Sequence, residues 1–230
     1  MIRYILQVEL LDNNGNYYLY PALNPQSIES QNAIDRKNNY NKTFMADETS
    51  FKGMFPAYIG EGGFPKIPHV ICDMHNWIVR KPYGFMYPIS ARFKEILEKF
   101  NIPNLKFYPG SVIWKDIEYP YYVFHLLIRQ FDYIDFSKST FIQGNIDGQK
   151  DGELIVNGNN MDEVTDKLDS PIWIFEKAIM KPEFETIDMT HLGVIGIVIS
   201  ERLKNAIEEA NLTGVKITTC PIEFHLSNKV

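Results

Sequence analysis

The sequence predicts an α+β protein with a sheet-dominated core, on three observations. Strand-length apolar runs rich in β-branched and aromatic residues recur along the chain. Helical stripes are few and short. One strand–short helix–strand unit occurs twice. With 230 residues, 45% hydrophobic and 23% charged, the chain has enough apolar surface to bury a sizeable core and is too apolar for intrinsic disorder.

Taken in order, Ile2 to Leu11 is mostly apolar and stops at Asp12-Asn-Asn-Gly-Asn16; Tyr17-Tyr-Leu-Tyr20 then resumes. Apolar run, turn cluster and apolar run predict a hairpin over 2–20. Residues 23–50 are rich in Asn, Ser, Gln and Asp and lack periodicity, which predicts a long irregular excursion. Gly53, Gly60, Gly62 and Gly63, with Pro56 and Pro65, predict turns throughout 51–66. Strand-like runs follow at 67–72, 76–80, 84–89, 105–114, 119–129, 153–156, 171–179, 193–199 and 214–224. Met161 to Leu168 predicts one short helix, with Met161, Val164 and Leu168 inward and Asp162, Glu163 and Asp166 outward.

The repeat has an offset of 110 residues. Ile89-Ser-Ala-Arg-Phe-Lys-Glu-Ile-Leu-Glu-Lys-Phe-Asn-Ile102 aligns without a gap to Ile199-Ser-Glu-Arg-Leu-Lys-Asn-Ala-Ile-Glu-Glu-Ala-Asn-Leu212. Ser90 and Ser200 stand where an N-cap hydroxyl can accept an orphan backbone N–H. Phe93, Ile96, Leu97 and Phe100 match Leu203, Ala206, Ile207 and Ala210, both sets spaced i, i+3, i+4, i+7. Asn101 and Asn211 suit the left-handed position after a helix end. Shared caps and stripes could arise by chance, but matching Ser, Arg, Lys and Asn in register between flanking strands favours duplication. The expectation is a single compact protein, 1–230, with two pseudo-repeated halves, about 1–142 and 143–230, sharing a core.

Net charge is −6, and its distribution says more than its sum. Residues 145–188 carry 11 acids and four bases, a charge of −7, while the rest of the chain is +1. Most charge blocks are simply solvated; the alternative is a surface that faces a basic partner. No basic stripe suggests a nucleic-acid partner, and no apolar run reaches the ~18 residues of a membrane span. Two cysteines, Cys72 and Cys220, make no disulfide framework, and Met1-Ile-Arg-Tyr4 lacks a signal-peptide layout, so the expected location is cytoplasmic.

Catalytic signatures are missing from the sequence. There is no Gly-x-Ser-x-Gly elbow, no phosphate-cradling loop with Lys-Ser/Thr and no His-Glu-x-x-His. Cys72-Asp-Met-His75 has half the spacing of a zinc site, without a second Cys/His pair close by, so no metal or cofactor is expected. His125 falls inside an apolar strand, where a core histidine is the default. Asp132 and Asp135 could pair as acid and base, yet Phe131-Asp-Tyr-Ile-Asp-Phe136 alternates like a strand end.

Two segments carry a resemblance. Tyr121-Tyr-Val-Phe-His-Leu through Phe131-Asp-Tyr-Ile-Asp-Phe-Ser-Lys-Ser139, and Ile199 to Val215 together with Pro88-Ile-Ser90, resemble bacterial immunity proteins of polymorphic toxin systems, formerly a domain of unknown function. The resemblance covers about residues 67–142 and 190–225 and rests on Ser-capped helices and an Asp-rich turn. It implies a protein that binds and neutralises a cognate toxin without catalysis. The toxin would be basic if it acts on nucleic acid, and the acidic segment would then serve as the contact. On that reading the candidate partner-binding residues are Asp162, Glu163 and Asp166. The rival expectation, from another class, is a small hydrolase or ligand-binding enzyme. Its site would gather scattered His, Asp and Tyr in a pocket at His69, Asp73 or His75. The oligomeric state and the identity of the toxin are not written in the residues.

Overall fold

The computed structural model describes residues 1–9, 12–14, 17–18, 21–22, 51–56, 69–75, 85–127, 131–145, 149–170, 172–192 and 195–227. Its strands are β1 (Tyr4–Val8), β2 (Tyr17–Tyr18), β3 (Pro21–Ala22), β4 (Phe51–Pro56), β5 (His69–Val70), β6 (Phe85–Ser90), β7 (Leu105–Trp114) and β8 (Ile117–Leu126). They continue as β9 (Thr140–Gly144), β10 (Lys150–Val156), β11 (Trp173–Met180), β12 (Met189–His191), β13 (Ile197–Ile199), β14 (Val215–Thr219) and β15 (Phe224–Leu226). Three α-helices are described: α1 (Ala91–Leu97), α2 (Met161–Leu168) and α3 (Glu201–Glu209), with a 3-10 turn at Pro182–Thr186. Strands predominate, and the protein is α+β.

The chain divides into two compact units. One comprises Met1–Leu6, Arg129–Lys204 and Ile217–Val230; the other comprises Gln7–Ile128 and Asn205–Lys216. In the second, the sheet order is β3-β4-β7-β8-β6, and Phe51, Met54, Tyr108, Val112, Tyr121 and Val123 form a buried cluster. In the first, the order is β10-β9-β11-β15, with Phe141, Val164, Leu168, Phe175, Phe184 and Phe224 in its core. A further sheet has the order β12-β13-β1-β14.

The duplication extends beyond the helices. In one copy β6 and β7 both pair antiparallel with β8, which lies between them, so β6–α1–β7 joins two parallel strands around an inserted third. In the other, β13 pairs antiparallel with β1. Glu9 N–H donates to Gly214 O and Cys220 N–H to Arg3 O, so β14 also runs antiparallel to β1. Thus β13–α3–β14 encloses β1 as β6–α1–β7 encloses β8. The outer neighbour recurs as well, as a single bridge in one copy and a strand in the other: Met74 bridges Ile89 antiparallel, as Met189 of β12 pairs with Ile199. In the helices Phe93 and Leu97 are buried as Leu203 and Ile207 are, and both N-cap hydroxyls accept as expected, Ser90 from Phe93 N–H and Ser200 from Leu203 N–H at 3.2 Å. Because Leu97 and Ile207 are each 1% exposed, replacing either by Ala should cost about 3 kcal/mol, read from the urea unfolding midpoint. A loss below about 1 kcal/mol would show that the stripe is not core.

Several expectations fail, each for a tertiary reason. Residues 2–20 are not a hairpin: β1 has β13 and β14 on its two edges, and Tyr17–Tyr18 pairs in parallel with β5. A strand already flanked on both sides has no edge to offer a neighbour in sequence. Residues 51–56 form a strand rather than turns, because Phe51 and Met54 enter the core and a register shift between them absorbs Gly53. Pro56 is tolerated at the strand's last position. The 214–224 run is two strands, β14 and β15, which join different sheets. The periodicity did not mark β9 or β12. Asn211 takes the left-handed conformation with φ 48°, but Asn101 does not; α1 closes through Lys99 and Phe100 N–H, and the left-handed residue is Asn104. Residues 23–50, 57–66 and 76–80 lie outside the described residues.

Candidate functional site

Each copy of the unit is fastened by the same three side chains. Asp73 O accepts Ser90 N–H at 2.9 Å, and its carboxylate accepts Ser90 Oγ–H at 2.7 Å and the Arg92 guanidinium at 2.6 Å. Asp188 repeats this: its O accepts Ser200 N–H at 2.9 Å, and its carboxylate accepts Ser200 Oγ–H at 2.6 Å and two nitrogens of Arg202 at 2.5 and 2.6 Å. Each aspartate therefore ties the outer segment, Asp73-Met74 in one copy and Asp188-Met189 in the other, to the helix N-terminus through a forked guanidinium contact. Asp73 also accepts Thr213 N–H at 2.8 Å and Thr213 Oγ1–H at 3.0 Å. Burial pushes the Asp73 carboxyl up, but Arg92, Thr213 and Ser90 outweigh it and hold it below the usual carboxylate range. Its stabilising effect is thus present above the unfolded value near ~4 and is lost as pH falls through the lower folded value.

The residues named for a catalytic pocket are otherwise engaged. His75 is fully buried, with Nδ1 3.2 Å from Cys72 Sγ and Nε2 3.2 Å from Tyr121 O–H. Tyr121 O–H donates to Cys72 O at 2.6 Å, which closes the cluster. Burial pushes the Cys72 thiol and the Tyr121 phenol well up, so both hold their protons, the opposite of an activated nucleophile. Asp73 serves the Ser-Arg lock. The side chain of His69 lies outside the described residues. His125 is buried in β8. Among the described residues no group of three or more His, Cys, Asp or Glu is arranged to hold a metal ion.

The acidic segment instead forms a surface. Its core is β10, at the edge of the sheet β10-β9-β11-β15, followed by α2. Asn160 caps α2 by accepting Glu163 N–H at 3.0 Å, and the Glu163 carboxylate accepts Asn159 N–H at 3.0 Å in return. Val164 and Leu168 are buried, which seats the helix, whereas Met161 is 36% exposed rather than inward. Asp162 and Asp166 point outward as expected. Glu163 has a second occupation. Its bonds to the backbone N–H and side chain of Asn159 hold its carboxyl below the usual range, so it supports the helix start as well as the surface charge.

Two features joined to this surface escaped the sequence reading. Leu154 and Ile155 of β10 are 59% and 49% exposed beside Asp151 and Glu153. A cleft of about 590 Å³ is lined by Phe131, Asp132, Asp135, Met161, Asp162 and Lys181. Asp132 and Asp135 thus reach the same acidic region as Asp162, and Asp135 accepts Ser137 Oγ–H at 2.8 Å and lies 3.3 Å from Lys138 Nζ. Burial raises the Asp135 carboxyl, but Ser137, Ser227 and Lys138 together bring it below the ordinary value. The result is a solvent-facing surface of acids interleaved with apolar side chains.

No helix among the described residues is long and apolar enough to cross a membrane. The family model for the immunity protein family Imm11 matches residues 25–221, which includes both Asp-Ser-Arg locks and the whole acidic surface. No curated protein matches the chain.

Proposed function

The chain belongs to the Imm11 immunity protein family, and from that premise we propose that it binds a cognate bacterial toxin directly and neutralises it without catalysis. The acidic surface of β10 and α2 is the contact, the toxin domain it meets is basic, and the encounter takes place in the cytoplasm. One observation supports the choice of surface above the others. Leaving out Asp188, which is buried in its lock, residues 145–187 carry ten acids and four bases, and the same stretch exposes Leu154, Ile155 and Met161. Acids supply long-range attraction to a basic domain, and exposed apolar side chains supply the area that is buried once it arrives. The gene immediately upstream should encode the toxin, and co-expression should protect cells from it.

The charge contribution has its own test. Replacing Asp162, Glu163 and Asp166 together by Asn, Gln and Asn should slow association with that toxin roughly tenfold at low salt. The difference should shrink as added salt shortens the screening length to about 8 Å at physiological ionic strength. Gln at 163 keeps an acceptor for Asn159 N–H, so the thermal unfolding midpoint should stay nearly unchanged. If the triple variant binds and protects as well as wild type at every salt concentration, the acidic surface is not the interface.

A further inference from the structure

The edge strand β10 gives the surface a specific mode of contact. In the neighbouring strand, Gly144 N–H donates to Ile172 O, on the β11 side, and Asn145 N–H donates to Gln149 O, on the β10 side. Backbone groups alternate in direction along a strand, so Ile142 faces β11 and Phe141 faces β10. Val156, opposite Phe141, is therefore bonded into the ladder. Ile155, opposite Ile142, turns its N–H and C=O away from the sheet. Leu154 and Ile155 are both exposed, and among the described residues no strand pairs with the outer edge of β10. Such edges are usually protected by proline, lysine or a covering element. In β10 the protection stands at the start of the strand, with Lys150 and the register shift that follows it; Ile155 lies past both, no proline is in the strand, and Asp151 and Glu153 precede the opening.

We propose that β10 receives a strand of the toxin by edge addition, centred on the outward N–H and C=O of Ile155. Leu154 and Ile155 pack against the incoming side chains, and the added strand carries Lys or Arg opposite Asp151 and Glu153. The proposal rests on the functional reading above and adds the backbone contact to it. Charge decides the occupant: a second copy of this chain would bring two segments of charge −7 together, whereas a cationic strand is attracted.

The experiment uses the full chain and the toxin domain encoded immediately upstream. Amide hydrogen exchange at Ile155 should be fast in the free protein and slowed at least about a hundredfold in the complex. Ile155→Pro removes the outward N–H at an edge position where proline leaves the β9 ladder intact, and it should weaken binding roughly tenfold to a hundredfold. Ile155→Ala keeps the N–H and should weaken binding less than Ile155→Pro does. A complex that forms with the Ile155 amide still exchanging freely, or Ile155→Pro binding as tightly as wild type, overturns edge addition while leaving the functional reading in place. Protection of Ile155 that rises with protein concentration in the absence of toxin makes a second copy the occupant and also overturns it. If the wild-type chain forms no complex with the toxin, the functional reading fails and edge addition with it.

Discussion

Gly214→Ala should destabilise the protein by about 4 kcal/mol, more than any single methyl would suggest. Gly214 has φ +76°, a conformation that costs an alanine roughly 1–2 kcal/mol by itself. A Cβ built there would meet Met74 O and stand 2.5 Å from Cys72 Sγ and 3.0 Å from Cys72 Cβ. None of those neighbours is free to retreat. Asp73 and Met74 N–H both donate to Thr213 O, at 3.0 and 3.2 Å, Glu9 N–H donates to Gly214 O, and Cys72 Sγ–H donates to Met74 O. Forcing a methyl group into a packed, bonded site adds about 1–3 kcal/mol of overpacking. Urea unfolding of Gly214→Ala beside wild type reads the sum. A loss below about 1 kcal/mol would mean that the chain does not approach Gly214 this closely.

Asp188→Ala should cost about 3–5 kcal/mol, while Arg202→Ala should cost far less, although the two side chains form one ion pair. The asymmetry comes from burial. The Asp188 side chain is fully buried and Arg202 is 63% exposed, so Arg202 loses only a solvated contact. The Asp188 charge also acts on Arg3, which is 2% exposed, donates to Ile187 O at 2.5 Å and to Phe184 O, and lies over the Phe184 ring. Burial already pulls the Arg3 guanidinium down to about 10, with the Asp188 charge acting in the other direction. Removing that carboxylate takes away a charge that offsets the burial of the Arg3 cation and leaves the Ser200 and Arg202 donors without their acceptor. Asp73→Ala should cost less, since the Asp73 side chain is 9% exposed whereas that of Asp188 is 0% exposed. Equal losses for Asp188→Ala and Arg202→Ala would remove the role given to Arg3.

The Asp-Ser-Arg lock also shows how a signal can be present in a sequence and still be overlooked. Ser and Arg recur at an offset of 110, as Ser90/Ser200 and Arg92/Arg202, and a gapless comparison finds them. Asp-Met recurs at 115, as Asp73-Met74 and Asp188-Met189. The connection between outer segment and helix is five residues longer in the first copy, so the third member of each lock falls out of register. A comparison that allowed one gap would have found it. No such remedy exists for the open edge at Ile155, because which strand ends a sheet depends on partners distant in the chain.

By itself the sequence determined what depends on neighbours a few residues away. The α+β class follows from the strand-length runs. Helix α2 over Met161–Leu168 follows from its apolar spacing, and the paired helices α1 and α3 from a serine cap and an i, i+3, i+4, i+7 stripe. The acidic block, and the outward placement of Asp162 and Asp166, were legible for the same reason. Tertiary structure alone decided which strands pair. Nothing local tells Ile2–Leu11 that it will lie between β13 and β14 instead of folding back on Tyr17–Tyr18, or tells Phe51–Pro56 that a core awaits Phe51 and Met54. Only the fold could turn Asp73 and His75 from candidate site residues into fixed parts of the interior, and divide Glu163 between surface and helix cap. The physical reason is common to all of these: backbone ladders and buried ion pairs are satisfied by groups far apart in the chain, and the choice among possible partners is made by the core as a whole.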